Sequence, residues 1–265
     1  MDEVSVRGAT QRSSITGFEA CHNIAQGPVF IIASGASAKD FPLQRFANVP
    51  MITLNGAISM FDGSGINPYF YVCTDTSFQY EQPDLYASAL LLSQRLAIWP
   101  DEIELIETRT DAAIYPLRKA NRSTLYESAF NPEHELVRSR AFWSSRSRTL
   151  GFSKDLSAGF FDARTVAYAA LQIAYHLGFT QVFLVGVDLN QNAGRYYETE
   201  GRAVSPCGLD DHFESRILPS LKLMADRVIG ERFAVYNLSQ TSRIPDSVIP
   251  KISVDQAEAI ILSGV

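Results

Sequence analysis

Residues 165–190 read TVAYAALQIAYHLGFTQVFLVGVDLN, a helical pattern followed directly by a strand pattern. Ala and Leu recur at helical spacing from Thr165 to Leu177, Asp162 is placed to cap the start, and Gly178 follows as a C-terminal glycine. The apolar run from Gln181 to Val185 has the length and composition of a buried parallel strand. This stretch predicts a helix, a strand and an α/β fold.

Similar apolar runs recur along the chain, with helical patterns between several of them. We predict strands at Pro28–Ala33, Met51–Leu54, Tyr69–Cys73, Ala89–Leu92, Gln181–Val185 and Phe233–Asn237. Strands joined by helices predict a single Rossmann-like α/β domain, in which helices flank a mostly parallel sheet. Residues 101–160 carry no clean period and predict loops. Since no linker divides the chain, we expect a polar leader over residues 1–27 and one α/β domain over residues 28–265.

Composition excludes several classes of protein. The chain has 265 residues, 46% hydrophobic and 20% charged, with a net charge of −6. These values exclude disorder, collagen and coiled coil as the main architecture, and the acidic balance argues against nucleic acid as a partner. Cys21, Cys73 and Cys207 are far apart, as in proteins of a reducing compartment. With neither a signal peptide nor a membrane-spanning run, we expect a cytoplasmic location, with transient association at the inner face of the membrane left open.

The first candidate binding segment follows the first strand. It consists of Ser34, Gly35, Ala36 and Ser37. A turn of small residues lets backbone N–H groups approach an anion, and the N-terminus of a following helix adds a favourable dipole. The spacing matches neither the P-loop nor the dinucleotide fingerprint. On these residues alone, a tight turn without a ligand is the favoured alternative.

Two further predicted strands also end in polar residues. Asn55 follows the second strand and Asp75 the third. Because ligands of open parallel sheets bind beyond the carboxyl ends of the strands, these side chains are candidates for the same site. The alternative is that each forms a turn, which Asn and Asp commonly do.

The densest polar cluster follows the strand at 181–185. It contains Asp188, Asn190, Arg195, Tyr196 and Tyr197. Tyr hydroxyls and a guanidinium can hydrogen-bond a phosphate that gains charge as it leaves, which stabilises a transition state. A polar hairpin with stacked tyrosines is the less favoured alternative.

A segment with the composition of a mobile lid, residues 198–211, leads to His212. We predict a helix over Phe213–Val228, with His212 at its N-terminus. A helix N-terminus favours a neutral imidazole, which can act as a general base, and Asp210 or Asp211 is placed to orient it. The alternative is an imidazole that faces solvent beside a capping Asp211. His22, His134 and His176 are expected to be structural.

Metal and cofactor chemistry are not predicted. No His or Cys pair has ligand spacing, and no Asp-x-Asp follows a strand. A Gly-x-Ser-x-Gly elbow is absent from the sequence as well. The sequence therefore favours chemistry that needs neither a metal ion nor a cofactor.

At these motifs the chain resembles the bacterial sialyltransferases of glycosyltransferase family 42 and the wider superfamily of domain of unknown function 115. Order and spacing agree over residues 28–240, apart from 95–160. The segments that carry the resemblance are 31–37, Asn55, 74–82, 165–179, 185–192, Tyr196 and His212.

The resemblance implies a Rossmann-like domain with a lid and a CMP-activated 2-keto-3-deoxy acid sugar as donor. It implies that His212 is the catalytic base and that Tyr196 is one of two phosphate-binding tyrosines. Asn190 stands at the position of the other, so Arg195 or Tyr197 is the candidate replacement.

Other positions depart from the family pattern. The family's third-strand Asn is Asp75 here, its Arg before the helix is offset to Arg164, and Val166 stands where a serine follows Thr165. These departures favour a different CMP-linked ulosonic acid. We therefore place transfer of 3-deoxy-D-manno-octulosonic acid (Kdo) in lipopolysaccharide core assembly beside sialyl transfer.

The mechanism that the resemblance implies is direct displacement with inversion, without metal, onto a glycan or lipid-linked glycan acceptor. His212 takes the acceptor proton, Tyr196 with Arg195 or Asn190 stabilises the CMP phosphate, and the lid excludes water. Two alternatives stay open: a pterin pyrophosphokinase-like transferase with ATP and Mg²⁺ over Asp75 and Asp188, and a nucleotide-binding accessory protein without catalysis. A homo-oligomer is also left open.

Overall fold

A seven-stranded parallel sheet forms the centre of the molecule, in the strand order β5-β4-β3-β2-β1-β8-β9. The computed structural model of the chain describes residues 14–106, 110–121, 135–139, 149–190, 195–197 and 209–264. In chain order the strands are β1 (Pro28–Ile32), β2 (Met51–Leu54), β3 (Phe70–Val72), β4 (Arg95–Ile98), β5 (Ala113–Pro116), β6 (Leu136–Arg138), β7 (Gly151–Ser153), β8 (Gln181–Val185) and β9 (Ala234–Asn237). Strands β6 and β7 form a separate antiparallel pair.

Helices and short turns cover both faces of this sheet. The α-helices are α1 (Phe78–Glu81), α2 (Pro83–Leu92), α3 (Pro100–Ile103), α4 (Val166–Leu177), α5 (Leu209–His212), α6 (Leu218–Arg227) and α7 (Val254–Ser263). Turns of 3-10 helix lie at Phe18–Cys21, Ala36–Ala38, Leu43–Phe46, Asn55–Phe61 and Leu156–Ala158, and a π-helical turn at Phe213–Ile217 joins α5 to α6. Within these ranges, no helix has the length and apolarity that crossing a bilayer requires. The predicted α/β fold class is confirmed.

The central strand shows why the sheet is buried on both sides. Val29 and Ile31 of β1 join a core on the face that α4 covers, while Phe30 and Ile32 join a second core on the opposite face. All four side chains are fully buried. Continuous apolar runs are the pattern that a doubly covered parallel sheet requires, since successive side chains point to opposite faces.

Helix α4 has the predicted end but a different start. Gly178 adopts φ +98°, and a Cβ there would lie 2.5 Å from the carbonyl oxygen of Ala25. Thr165 occupies the N-cap position, so the expectation that Asp162 caps this helix is wrong. The carboxylate of Asp162 instead accepts from the backbone N–H of Arg164 at 2.8 Å and pairs with the Lys119 ammonium at 2.7 Å.

The predicted strand at Ala89–Leu92 is also wrong, because these residues form the last turn of α2. Pro83 at the first turn starts this helix, and its interior is apolar almost throughout. Leu91 is 66% exposed, which a central parallel strand would not allow. The fourth strand begins instead at Arg95, and β5 lies in the region where loops were predicted.

The described part of the predicted leader packs against the domain. Phe18 and Cys21 are buried in the core that includes α4, and Ile15 forms a bridge with Ile114 of β5. Residues 1–13 lie outside the described residues.

The strand order fixes where a ligand can reach the sheet. Strand β1 lies between β2 and β8, so the sheet grows one way through residues 28–116 and the other way through residues 181–237. Such a reversal opens a crevice at the carboxyl ends of the strands, between loops that leave in opposite directions. The segments after β1, β2 and β8 border this crevice.

Candidate active site

Asp188 joins the ends of three neighbouring strands. The side chain is 4% exposed. Its Oδ2 accepts from the backbone N–H of Ser37 at 3.0 Å, and its Oδ1 accepts from the Ser37 hydroxyl. The same Oδ1 accepts from the Ser239 hydroxyl at 2.5 Å. Both oxygens are thus engaged with the loops after β1 and β9, so Asp188 shapes the crevice rather than facing a ligand with free lone pairs.

Glycine at position 35 permits the close approach of the loops after β1 and β8. The N–H of Gly35 donates to the carbonyl of Gly186 at 3.0 Å. A Cβ at Gly35 would lie 2.3 Å from that carbonyl oxygen and 2.6 Å from Oδ2 of Asp188. The segment after it is a 3-10 turn at Ala36–Ala38 and not a helix, so the expected helix dipole is missing. Ala38 and Phe41, at and after the end of this turn, are buried in the core.

Asn55 carries the clearest sign of a missing partner. It follows β2, adopts φ +44° and begins the 3-10 turn that ends at Phe61. After glycine, Asn is one of the residues that most readily adopt a positive φ, so this backbone conformation suits the turn. The Oδ1 atom of its side chain is buried and has no hydrogen-bond partner among the described residues. An amide held in this way is suited to bind a ligand that enters the crevice.

The segment 195–197 folds back over the loops after β1 and β2. The N–H of Tyr196 donates to the carbonyl of Ser34 at 3.2 Å, and the Tyr196 hydroxyl donates to the carbonyl of Ala57 at 3.0 Å. Burial raises the pKa of Tyr196 to about 12, so the phenol keeps its proton and acts as a donor. The predicted phosphate-binding tyrosine therefore lies at the crevice with its hydroxyl on the β2 side.

Tyr197 and Arg195 lie beside it. The ring of Tyr197 covers Gly56, where a Cβ would lie 2.2 Å from a ring carbon. Arg195 Nη1 donates to the Tyr197 hydroxyl at 3.3 Å. This pair brings a guanidinium and a phenol together next to Asn55, which is an arrangement that can hold a phosphate. Asn190, in the segment that follows β8, is exposed.

Asp75 lies farther along the sheet and is occupied locally. Its Oδ1 accepts from the backbone N–H of Ser77 at 3.0 Å and from the Ser77 hydroxyl at 2.9 Å. The preceding carbonyl, that of Thr74, accepts from Trp99 Nε1 at 3.1 Å. These hydrogen bonds agree with the alternative prediction that Asp75 forms a turn.

The part of the chain that the structure describes contains no evident metal-binding site. No group of three or more His, Cys, Asp and Glu side chains could hold a metal ion there. Of the two carboxylates of the phosphotransferase alternative, Asp75 accepts hydrogen bonds within its own turn, and Asp188 accepts from Ser37 and Ser239 in the loops after β1 and β9.

Arg164 and Thr165 lie at the start of α4. Arg164 is exposed with φ +64°, and Thr165 is half-buried at the N-cap position. Arg216 Nη2 in the π-helical turn donates to the carbonyl of Asp162 at 2.7 Å and Arg216 Nη1 to the Thr149 hydroxyl at 2.9 Å. These bonds hold the loop before α4 against the helix that carries His212.

His212 is half-buried and is the last residue of α5. The helix begins at Leu209, whose side chain packs against the core, and not at His212 as predicted. Asp210, a predicted partner of the imidazole, instead pairs with Arg243. Of the predicted lid, residues 198–208 lie outside the described residues, and the rest belongs to α5.

Arg243 and Ser239 were not predicted from the sequence as residues of the site. Both belong to the polar segment that follows β9, and the rule that directed attention to Asn55 and Asp75 applies there equally. The N–H of Arg243 donates to the carbonyl of Asp188 at 3.0 Å. Structural roles for His22 and His176 agree with their stacked rings, whose centroids are 4.8 Å apart.

Comparisons with known proteins relate the chain to Kdo transferases. Residues 128–255 match the family model described as 3-deoxy-D-manno-octulosonic acid transferase WaaZ. A probable 3-deoxy-manno-octulosonic acid transferase of Escherichia coli K12 is 28% identical over 246 residues, which cover 87% of this chain and 84% of that protein. Its counterpart in Salmonella typhimurium LT2 is 27% identical over 240 residues, which cover 86% of this chain and 87% of that protein.

Among solved structures, the MAf glycosyltransferase from Magnetospirillum magneticum AMB-1 matches with a TM-score of 0.48 and 19% identity. The match covers 95% of this chain and 38% of that chain. The narrower resemblance to family 42 and to domain of unknown function 115 stays a prediction. At the coarser level, the sequence prediction is confirmed: the chain is similar to glycosyltransferases of the Kdo transferase WaaZ type.

Proposed function

We propose that the chain transfers an ulosonic acid from a CMP-activated donor to a glycan of the lipopolysaccharide core, with Kdo as the first choice of sugar and sialic acid as the second. The observation that carries the binding site is the buried Oδ1 of Asn55, which has no partner among the described residues and precedes Gly56, the residue that the ring of Tyr197 covers. Arg195 donates to the Tyr197 hydroxyl. The choice of Kdo rests on the similarity to the WaaZ model and the two probable Kdo transferases.

The proposed binding mode uses the loops at the crevice. Asn55 and the turn at Ser34–Ser37 contact the nucleotide, and Arg195 with Tyr197 binds the phosphate that departs. Tyr196, protonated because of its raised pKa, supports this pair from the β2 side, and its hydroxyl becomes a second donor to the phosphate when it gives up its bond to the Ala57 carbonyl. Thr165 and Arg164 at the start of α4 are the candidates for contact with the sugar.

The proposed reaction is a direct displacement. The oxygen of an acceptor hydroxyl forms a bond to the anomeric carbon, and the bond from that carbon to the CMP phosphate oxygen breaks. CMP leaves with the bonding electron pair, while His212 takes the hydroxyl proton. Attack opposite the leaving group inverts the anomeric carbon. No step requires a metal ion, and the acceptor is a glycan or a lipid-linked glycan.

A thermal-shift panel tests the nucleotide class. CMP, CDP, UDP, GDP and ATP are each added with Mg²⁺ and with EDTA, because a ligand that binds the native state raises its stability. We expect CMP to stabilise the protein in EDTA. A shift with ATP and Mg²⁺ alone would favour the phosphotransferase, and no shift with any nucleotide would overturn the proposed donor class.

A variant of the base tests the reaction. His212→Ala is expected to lower the rate of CMP release from CMP-Kdo with acceptor by roughly 10²–10⁴-fold, the contribution of a general base, while CMP still stabilises the protein. Glu214→Gln, on the exposed side of the next turn, is the control and keeps the wild-type rate. Near wild-type transfer by His212→Ala would remove His212 from the role. CMP-sialic acid, assayed in parallel, decides the sugar.

A further inference from the structure

Arg243 connects two parts of the proposed site that are far apart in sequence. Its backbone N–H donates to the carbonyl of Asp188 at 3.0 Å, and its Nη1 donates to the carbonyl of Leu189 at 3.5 Å. The same guanidinium pairs with the carboxylate of Asp210. The guanidinium carbon of Arg243, Cζ, lies 3.9 Å from the centre of the Phe213 ring, and Phe213 is 3% exposed. The Arg243 side chain therefore contacts the loop after β8 and residues on both sides of His212, namely Asp210 and Phe213.

The turn that bears His212 depends on such contacts for its orientation. Helix α5 is the first turn of a continuous helical stretch, in which the π-helical turn Phe213–Ile217 joins it to α6. A π-turn is bonded from residue i to residue i+5, so it shifts α5 out of the regular register of α6. Interruptions of this kind are frequent at functional sites. The position of the imidazole relative to the sheet therefore depends on the side-chain contacts of α5 as well as on its helical hydrogen bonds.

The loop after β8, which Arg243 contacts at Leu189, has a strained backbone. Leu189 adopts φ +51°, a conformation that costs free energy for a leucine, and its side chain is 7% exposed. Its carbonyl faces the Arg243 guanidinium. Because strain of this kind persists only where the surroundings hold it, Arg243 is part of what keeps the segment from Asp188 to Asn190 in place.

We infer that Arg243 is a positioning residue, which holds His212 at a fixed distance from the loop after β8. This inference rests on the proposed function, in which His212 takes the proton and that loop borders the nucleotide. A guanidinium suits the task, because it can pair with a carboxylate, stack on an aromatic ring and donate to a carbonyl at the same time.

The test separates placement of the base from binding of the donor. Arg243→Ala is expected to lower kcat at least about tenfold, because small misplacements of a reacting group have large effects on rate. The KM for CMP-Kdo should stay within roughly threefold, since Arg243 is not proposed to touch the donor. Added guanidinium ion should restore part of kcat in Arg243→Ala, while an equal concentration of sodium chloride should not.

Two further variants and a control sharpen the result. Arg243→Lys keeps the charge next to Asp210 but loses the planar stack on Phe213, so its kcat should fall between those of the wild type and Arg243→Ala. The effects of Arg243→Ala and Asp210→Asn should not add in the double variant, because both break the same connection. Arg45→Ala removes ion pairs to Asp255 and Glu258 on α7 and should leave kcat unchanged.

The outcomes distinguish this inference from the proposed function. If His212→Ala keeps transfer, the proposed base fails first. If His212→Ala loses transfer and Arg243→Ala keeps wild-type kcat, only the role of Arg243 is overturned. Should Arg243→Ala unfold at the assay temperature, Arg243→Lys and Asp210→Asn decide: lowered kcat with unchanged KM supports the inference, and unchanged kcat overturns it.

Discussion

At the scale of single residues, Asp188 shows how one carboxylate can organise a crevice without facing it. Its two oxygens accept hydrogen bonds from Ser37 and Ser239, and the residue is almost fully buried. Hydrogen bonds to a charged acceptor are stronger than those between neutral groups. The carboxylate thus holds the turn after β1 and the segment after β9 against the loop that follows β8.

Asp188→Asn turns three hydrogen bonds to a charged acceptor into weaker bonds between neutral groups, because the retained oxygen still accepts from the Ser37 N–H and the two hydroxyls reverse to accept from the amide. With roughly 1 kcal/mol lost per bond, we expect the free energy of unfolding to fall by about 2–3 kcal/mol. The stabilisation by CMP should fall as well, because the turn over Ser34–Ser37 loosens. Urea unfolding and thermal shift measure both quantities. Asp246→Asn, an exposed carboxylate that accepts from Lys251 N–H, is the control, and an equal loss there would contradict the argument.

At the scale of elements, the β4–α3 junction buries a carboxyl group beside the loop after β3. Glu102 is 2% exposed, and its Oε2 accepts from the N–H of Trp99 at 3.3 Å. Among the described residues, its Oε1 has no hydrogen-bond partner, and the buried hydroxyl of Tyr86 has none either. Burial raises the pKa of Glu102 from 4.5 to about 7. The junction matters for the crevice, because the Trp99 ring donates to the carbonyl of Thr74.

A raised carboxyl pKa has a definite sign for stability. Between the unfolded pKa and about 7 the native state binds more protons than the unfolded state, so the free energy of unfolding decreases as pH rises through this window. Glu102→Gln should remove that decrease and gain roughly 3 kcal/mol relative to wild type at pH 8. Denaturant unfolding from pH 5 to 8 measures it, with the exposed Glu104→Gln as control. Parallel pH profiles for Glu102→Gln and wild type would refute the assignment.

At the scale of the whole molecule, His176 ties the N-terminal segment to the interior. The ring is fully buried on α4. Its Nε2 donates to the carbonyl of Phe18 at 2.7 Å, and its Nδ1 accepts from the N–H of Leu156 at 3.1 Å. This bonding requires the neutral imidazole, and burial lowers the pKa of His176.

The lowered pKa of His176 makes the free energy of unfolding change with pH in the opposite direction to the raised pKa of Glu102. As pH falls through the unfolded histidine range near about 6.5, the unfolded state takes up a proton that the native ring resists, and stability is lost. His176→Gln keeps one donor and one acceptor and should flatten the loss between pH 7 and pH 5. Because the two groups have opposing slopes, wild type alone can show little net change. The comparison of each variant with wild type is therefore the measurement, and a steep acid loss retained in His176→Gln would contradict this role.

The parts of the fold that could be predicted are those with an unambiguous local pattern. The strands at 28–33 and 181–185, and the helix ending at Gly178, are fixed by continuous burial and a glycine C-cap. The prediction of a strand at Ala89–Leu92 failed because a short apolar run fits a helix as well as a strand. Which of the two forms depends on packing against residues that are distant in sequence. Likewise, strand ends pointed to Asn55 and Asp188, but the bond from Arg243 to Asp210 joins residues 33 apart and leaves no local pattern.

The position of β1 in the middle of the sheet has a consequence for synthesis on the ribosome. Its neighbour β2 follows within the same stretch of chain, but its other neighbour, β8, emerges only after residue 181. The hydrogen bond between Ser37 and Asp188 cannot form until the chain has grown by another 151 residues. The segment after β9, which contains Ser239, must follow before the crevice is complete. Since domains fold as their segments emerge, one side of the sheet can assemble early while the crevice closes last. A nascent chain that stops before Arg243 would have much of a sheet and no working site.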